Sequence, residues 1–131
     1  GDPETLRFHR KGHSPDMVRR VAARLKGAGI EISFYVLLGM AGADGWRRHA
    51  VETAKLVNDT EPEFLRLWRL WIYGSGEMSA GRACPLREEV RAGRFTPRDP
   101  EGTVLELRLL LENLDESLST EIVSDHRNNY V

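Results

Sequence analysis

The chain has 131 residues, of which 40% are apolar and 30% charged, and its formal net charge is −1. That length suits one domain, and the mixture is globular rather than disordered. The near-balanced charge excludes a strong pull on nucleic acid, and the longest apolar run, Phe34 to Leu38, is too short to cross a bilayer.

One cysteine, Cys84, excludes an internal disulfide. By itself it holds neither a structural zinc nor an iron–sulfur cluster. No stretch reads as a signal peptide, so a reducing cytoplasm is the expected location. The opening Gly1-Asp2-Pro3 lacks an initiator Met, and the chain is expected to be processed or to be a piece of a longer one.

Asp2 and Pro3 predict a helix start and Gly12 its stop. Ser14-Pro15 opens a second helix, with Met17, Val18, Val21, Ala22, Leu25 and Ala28 recurring at helical spacing and Gly29 at its end. Ile30 to Leu38 is rich in β-branched and aromatic residues, which predicts a strand buried on both faces, as in a parallel sheet. It runs into a glycine loop, Gly39 to Gly45. Trp46 to Asp59 returns to helical spacing, and Glu61-Pro62 breaks it. Phe64 to Ile72 predicts a second strand, followed by the loop Tyr73 to Glu77 and an irregular excursion from Met78 to Ala83.

Pro85 to Arg91 predicts a short helix and Gly93 to Arg98 a loop. Asp99-Pro100 opens another helix, with Val104, Leu107, Leu111 and Leu114 along one face. Glu121 to Val123 predicts a last strand, ending in Ser124 to Tyr130. Strands alternating with helices imply parallel pairing through right-handed crossovers. The expected fold class is therefore α/β, with about three parallel strands. A closed eight-stranded barrel takes about 250 residues, so this length corresponds to part of a TIM-type barrel or to a small open sheet.

In barrels and open parallel sheets alike, ligands lie at the C-terminal ends of the strands. The loops Gly39–Gly45, Tyr73–Glu77 and Ser124–Tyr130 follow apolar strands and form the expected ligand face. Gly39-x-x-Gly42-x-x-Gly45 is not a dinucleotide fingerprint, and a tight βα turn accounts for it more readily than a ligand does. Asp125-His126 joins a carboxylate to a group that titrates near neutrality, which suits acid–base work, substrate binding or a capped polar loop. His9, His13 and His49 read as solvated surface histidines, and Arg19-Arg20 and Arg47-Arg48 as solvated helix faces. Trp68 and Trp71 read as core. Arg66 and Arg69 within a strand need an anionic partner or a wet barrel interior.

The order of these motifs resembles the radical S-adenosylmethionine (SAM) enzymes. Gly1-Asp2-Pro3-Glu4-Thr5-Leu6 with Lys11-Gly12 resembles the segment after that family's fourth barrel strand. Tyr35-Val36-Leu37-Leu38-Gly39-Met40-Ala41-Gly42 resembles its fifth strand and loop, and Phe64-Leu65-Arg66-Leu67 its sixth strand. Pro85-Leu86-Arg87-Glu88-Glu89-Val90 with Gly93 resembles the family's Thr-Pro-Leu-x-Glu-Glu-x-x-x-Gly. Leu109 to Leu114, then Ser124-Asp125-His126 with Asn129-Tyr130, resemble the tail of one subgroup. The likeness spans essentially the whole chain.

The resemblance implies that residues 1–131 are the C-terminal portion of a radical SAM barrel. The parent would carry a [4Fe–4S] cluster on a Cys-x-x-x-Cys-x-x-Cys motif, and that motif would lie upstream of Gly1. It further implies that Leu37 and Gly39 lie near the adenine or ribose of SAM, Tyr73 and Gly74 near adenine, and Asp125 and His126 toward the substrate. The sequence departs from the family at Ile72-Tyr73-Gly74-Ser75-Gly76, which lacks the usual Pro, and residues 74–83 read as an insertion. The expectations are an inactive fragment that binds no cofactor alone, meets a small-molecule or unknown substrate only within its parent, and self-associates through exposed strand edges. The competing reading is a non-enzymatic α/β module that binds a ligand or a protein.

Overall fold

A computed structural model describes residues 1–72, 84–126 and 129. The elements are α1 (Pro3–Phe8), α2 (Pro15–Gly27), β1 (Ser33–Leu38), α3 (Gly42–Thr60), β2 (Phe64–Arg69), α4 (Pro85–Arg91), α5 (Pro100–Glu112) and β3 (Glu121–Val123). The strands form one parallel sheet in the order β1-β2-β3, with Val36 beside Leu67 and Leu65 beside Ile122. The α/β class and parallel pairing are as the sequence predicts. No helix among the described residues is long and apolar enough to cross a membrane.

A strand's side chains alternate between faces, so the register divides the sheet cleanly. Val36 and Leu38 of β1 and Leu65 and Leu67 of β2 point to one side. There they bury against Ala50 and Val57 of α3 and Leu110 of α5. Tyr35, Arg66 and Trp68 belong to the other face, and Tyr35 is 56% exposed. The first strand is therefore not buried on both faces, contrary to expectation. Its apolar run includes a half-wet row as well as a core row.

Strand order explains this one-sidedness. When parallel strands are laid down in sequence order through right-handed crossovers, successive helices land on the same face. A doubly wound sheet reverses direction and covers both faces. Here α3 and α5 share one face and pack on each other.

Several element boundaries differ from the sequence reading. The first helix stops at Phe8, and the chain then turns through Arg10 and Gly12, both with positive φ. The strand expected from Ile30 starts at Ser33, and Ile30 is 52% exposed. The expected glycine loop is shorter than predicted, because α3 begins at Gly42. Its start has no side-chain cap; instead Ala43 N–H donates to Thr96 O at 2.8 Å. Gly42 has φ +64, and a β-carbon there would lie 2.8 Å from Thr96 O, so only glycine fits. The second strand ends at Arg69 rather than Ile72. The excursion expected over 78–83 lies outside the described residues.

The apolar stripe of α5 is out of phase with the expectation. Gly102, Thr103, Glu106 and Leu110 face inward, whereas Val104 is 62% and Leu111 40% exposed. Leu107 and Leu114 pack at the margin of the core. Arg48 is exposed, as expected of a solvated helix face, and also pairs with Asp2 at 3.0 Å and Glu4 at 2.8 Å.

Asp2 holds the opening of the chain. Its carboxylate accepts from the N–H groups of Glu4 and Thr5 at the start of α1 and from Arg48 Nε. Burial works to raise its pKa. Hydrogen bonds from Arg48, the Thr5 hydroxyl and Glu4 N–H outweigh it and hold the carboxyl below its ordinary value. A depressed pKa adds stability above the unfolded value of about 3.9, and that stability is lost as pH falls through the folded value. Asp2→Ala is expected to cost about 1 kcal/mol or more at neutral pH, the ordinary cost of an N-cap. Thermal melts of the two proteins should converge as pH drops below about 4. A gap that persists unchanged into acid would disprove this account.

Candidate functional site

The three strands deliver their C-terminal ends to one side of the molecule. β1 leads into Gly39, whose φ of +88 turns the chain away toward α3. β2 continues through Leu70, whose N–H donates to Leu38 O at 2.8 Å. Beyond β3 the side chain of Asn129 returns to the sheet. Its Oδ1 accepts from Arg69 N–H and its Nδ2 donates to Leu67 O, each at 2.8 Å. A side-chain amide here takes the place of a strand's peptide group and ties the segment after β3 to β2. Asn129 carries no sequence signal for this role, because its partners lie about 60 residues away.

A cavity of about 240 Å³ opens at the ends of β1 and β2, lined among others by Gly39, Arg69, Leu70, Pro97 and Arg98. Arg98 lies over the Trp46 ring at 4.6 Å and donates through Nη2 to Gly102 O, while its buried Nε has no partner among the described residues. Arg69 and Arg98 are the charged residues in the lining of this cavity, beside the Gly39 turn.

The face opposite the helices carries a chain of rings. Tyr35 on β1 meets Trp68 on β2 edge-on at 4.9 Å, and Trp68 stacks on His126 at 4.1 Å with 27° between the planes. Arg66 lies next along β2, 3.7 Å from Asp125 and 5.7 Å from the Phe64 ring. The Arg66–Asp125 pair is open to water and adds little stability. Its effect is to keep a charge beside the rings. Trp68 is half-buried and Trp71 is 39% exposed, so neither belongs to the core. The sequence does carry the signal for Trp68: Leu65 and Leu67 alternate with Arg66 and Trp68 at a period of two.

The expected site residues are dispersed across this geometry. Gly39 lines the cavity at the strand ends. Leu37, two residues earlier, lines a different space, a groove of about 290 Å³ along the outer edge of β1. Asp125 and His126 contact Arg66 and Trp68, which share the open face. Tyr73 and Gly74 lie outside the described residues.

Two histidines expected to be solvated at the surface are withdrawn from it, His9 in part and His49 fully. His9 Nε2 lies 2.7 Å from Met40 O, joining α1 to the loop after β1. His49 is 5% exposed and its Nδ1 lies 2.8 Å from Glu106 Oε1. Glu106 is fully buried, and its second oxygen accepts from Gly39 N–H at 3.1 Å. One carboxylate thus fastens α3, α5 and the turn after β1 together. Glu106 is in phase with Thr103 and Leu110, the buried residues flanking it, and that spacing is its only trace in the sequence. Among the described residues, no His, Cys, Asp and Glu side chains form a group able to hold a metal ion.

Compared with family models, curated proteins and solved structures, the chain matches none.

Proposed function

We propose that this chain is the later part of the catalytic barrel of a radical SAM enzyme, contributing some of the surface on which SAM and the substrate lie. The observation that carries the reading is the singly wound sheet, with its helices on one face and rings and charges on the other. A closed barrel has this arrangement: helices outside, strand ends forming the ligand face. Apolar side chains left exposed support it further. Met17 and Val21 of α2, Val104 and Leu111 of α5, and Ile122 of β3 are all exposed. Neighbouring βα units would cover them.

The residues fit SAM better than they fit the cluster. Gly39 has no side chain and lines a cavity that also has Arg69 and Arg98 in its lining, residue types that suit a nucleoside bearing a carboxylate. Cys84 is the sole cysteine, so in this reading the cluster ligands come from elsewhere in the parent. Bound to a reduced [4Fe–4S] cluster, SAM supplies a 5′-deoxyadenosyl radical. This chain's share is to position and enclose. Gly39 admits the nucleoside, Leu37 lies on the strand leading to it, and Asp125 and His126 face the substrate beside Arg66 and Trp68.

The test begins with the parent coding sequence. A three-cysteine motif roughly a hundred residues ahead of Gly1 is expected, at about 30 residues per βα unit of a barrel. The anaerobically reconstituted parent, given SAM and reductant, should release 5′-deoxyadenosine, and the 131-residue chain should release none. A parent without the motif, or 5′-deoxyadenosine from the isolated chain, overturns the proposal. The former result would favour a non-enzymatic binding module.

A further inference from the structure

Charge is spread unevenly along this chain. Residues 7–26 hold seven Lys or Arg against one Asp, a charge of +6 in a chain whose net charge is −1, so the other 111 residues carry −7. Outside this segment, exposed cations such as Lys55, Arg91, Arg94 and Arg108 each pair with a carboxylate. Within it, only Arg19 and Lys26 do so, with Asp16, Asp59 and Glu61. Arg7, Arg10, Lys11, Arg20 and Arg24 are all exposed, and among the described residues none of them forms an ion pair. Glu89 feels the charge of Arg10, but both its oxygens already accept from Arg94, at 2.6 and 3.0 Å.

The fold gathers these cations. Arg7, Arg10 and Arg20 share the lining of a groove of about 380 Å³ between α1 and α2, and no Asp or Glu belongs to that lining. Both helices are tied down, α1 by His9 to Met40 O at 2.7 Å and α2 by Arg19 to Asp59 at 2.7 Å. Arg10 itself stands at φ +51, a left-handed position where Gly or Asn is the ordinary choice. The turn is closed by Lys11 N–H donating to Leu6 O at 3.0 Å, a main-chain bond that a glycine at position 10 would permit without strain on a β-carbon. Arg10 therefore sits where its backbone is strained and its charge completes no ion pair of the fold.

We infer that this groove, with the row Arg20–Arg24 on α2, docks an acidic segment of a partner protein. The inference does not depend on SAM, a cluster or a longer chain. Arginine forks suit carboxylates. Arg20 and Arg24 are one turn apart, a rise of about 6 Å, close to the roughly 6.6 Å between alternate side chains of an extended segment. Other polyanions fit less well. Single-stranded nucleic acid stacks its bases on rings, and the only ring in the groove's lining is the imidazole of His13. An anionic bilayer is broad and would meet the −7 of the rest of the chain as well as the +6. A short acidic segment meets the cations alone.

Binding to the 131-residue chain at low salt tests this, with three probes: an oligoglutamate peptide, an oligouridylate of equal charge, and phosphatidylserine–phosphatidylcholine vesicles. The peptide should bind most tightly and be released by salt. Arg7→Glu with Arg20→Glu should weaken it by about 10-fold or more, because attraction becomes repulsion at two places. The charge-matched control, Lys55→Glu with Arg108→Glu on α3 and α5, should change it by about 2-fold or less. Arg10→Gly separates docking from folding. It should leave the melting temperature unchanged or higher, and still weaken the peptide by about 2-fold or more. No peptide binding, equal losses in the control, or tighter binding of the oligouridylate or the vesicles overturns the inference. So does an Arg10→Gly protein that melts earlier and binds the peptide as before, since Arg10 would then serve the fold.

Discussion

Leu65→Ala is expected to destabilise the protein by about 2–5 kcal/mol, the range for truncating a buried leucine in a packed core. Leu65 lies on the central strand and is completely buried, among Val36, Leu67, Ala50, Val57 and Leu110. It has strands on both sides and helices beneath, so the surrounding elements cannot close over a cavity without shifting the sheet. Ile122 is its partner in register on β3 but is 43% exposed. Ile122→Ala removes a comparable side chain that is half in water already, and about 1 kcal/mol or less is expected. Urea unfolding of both variants measures the contrast. Equal losses would mean that the core is not centred on β2. A domain of this kind has about 5–15 kcal/mol in total, so the Leu65 variant should lose a large share of its folded margin.

Much of this arrangement was legible in the sequence, and the failures have physical causes. The short helix over Pro85–Arg91 and the strand over Glu121–Val123 fall where local signals place them. Each is bounded by strong punctuation, Pro85 and Gly93 in one case and Glu121 following a polar stretch in the other. Parallel pairing also follows, because alternation of strands and helices leaves few other connections. The start of α3 failed because Gly42 and Gly45 read as turn residues, whereas the helix is begun by a carbonyl more than fifty residues away, at Thr96. The phase of α5 failed because a buried glutamate broke the apolar stripe. With Glu106 counted as polar, the period shifted to Val104 and Leu111, which face outward.

The site was legible at the level of a face and not of partners. The strand ends carry the cavity beside Gly39, as parallel topology requires. The ring chain from Tyr35 through Trp68 to His126 spans three segments, and only the register brings them together. Trp68 reads as core by residue type alone, whereas the alternation along β2 puts it on the open face. His49 was assigned to the surface for a related reason. Its helix position was clear, but the carboxylate opposite it arrives from α5, 57 residues later.

That carboxylate sets the largest electrostatic effect expected here. Glu106→Ala should cost about 1–3 kcal/mol for each of the two buried donors it leaves unsatisfied. The variant leaves His49 Nδ1 and Gly39 N–H facing an apolar void. Glu106→Gln keeps an oxygen for one of these donors and should lose less, about 1–3 kcal/mol. The informative variant is the double replacement His49→Leu with Glu106→Leu. If the pair served only each other, two apolar side chains of similar size would restore most of the stability. Gly39 N–H would still lack its acceptor, so a deficit of about 1–3 kcal/mol should remain. It should be localised, with the Gly39 amide exchanging faster while Val36 in the strand behind it stays protected. Full recovery of stability with an unchanged Gly39 amide would show that the turn holds itself. A persistent local deficit would show that Glu106 positions the glycine at the mouth of the cavity. In that case the buried pair sets the geometry of the turn that lines the cavity at the strand ends.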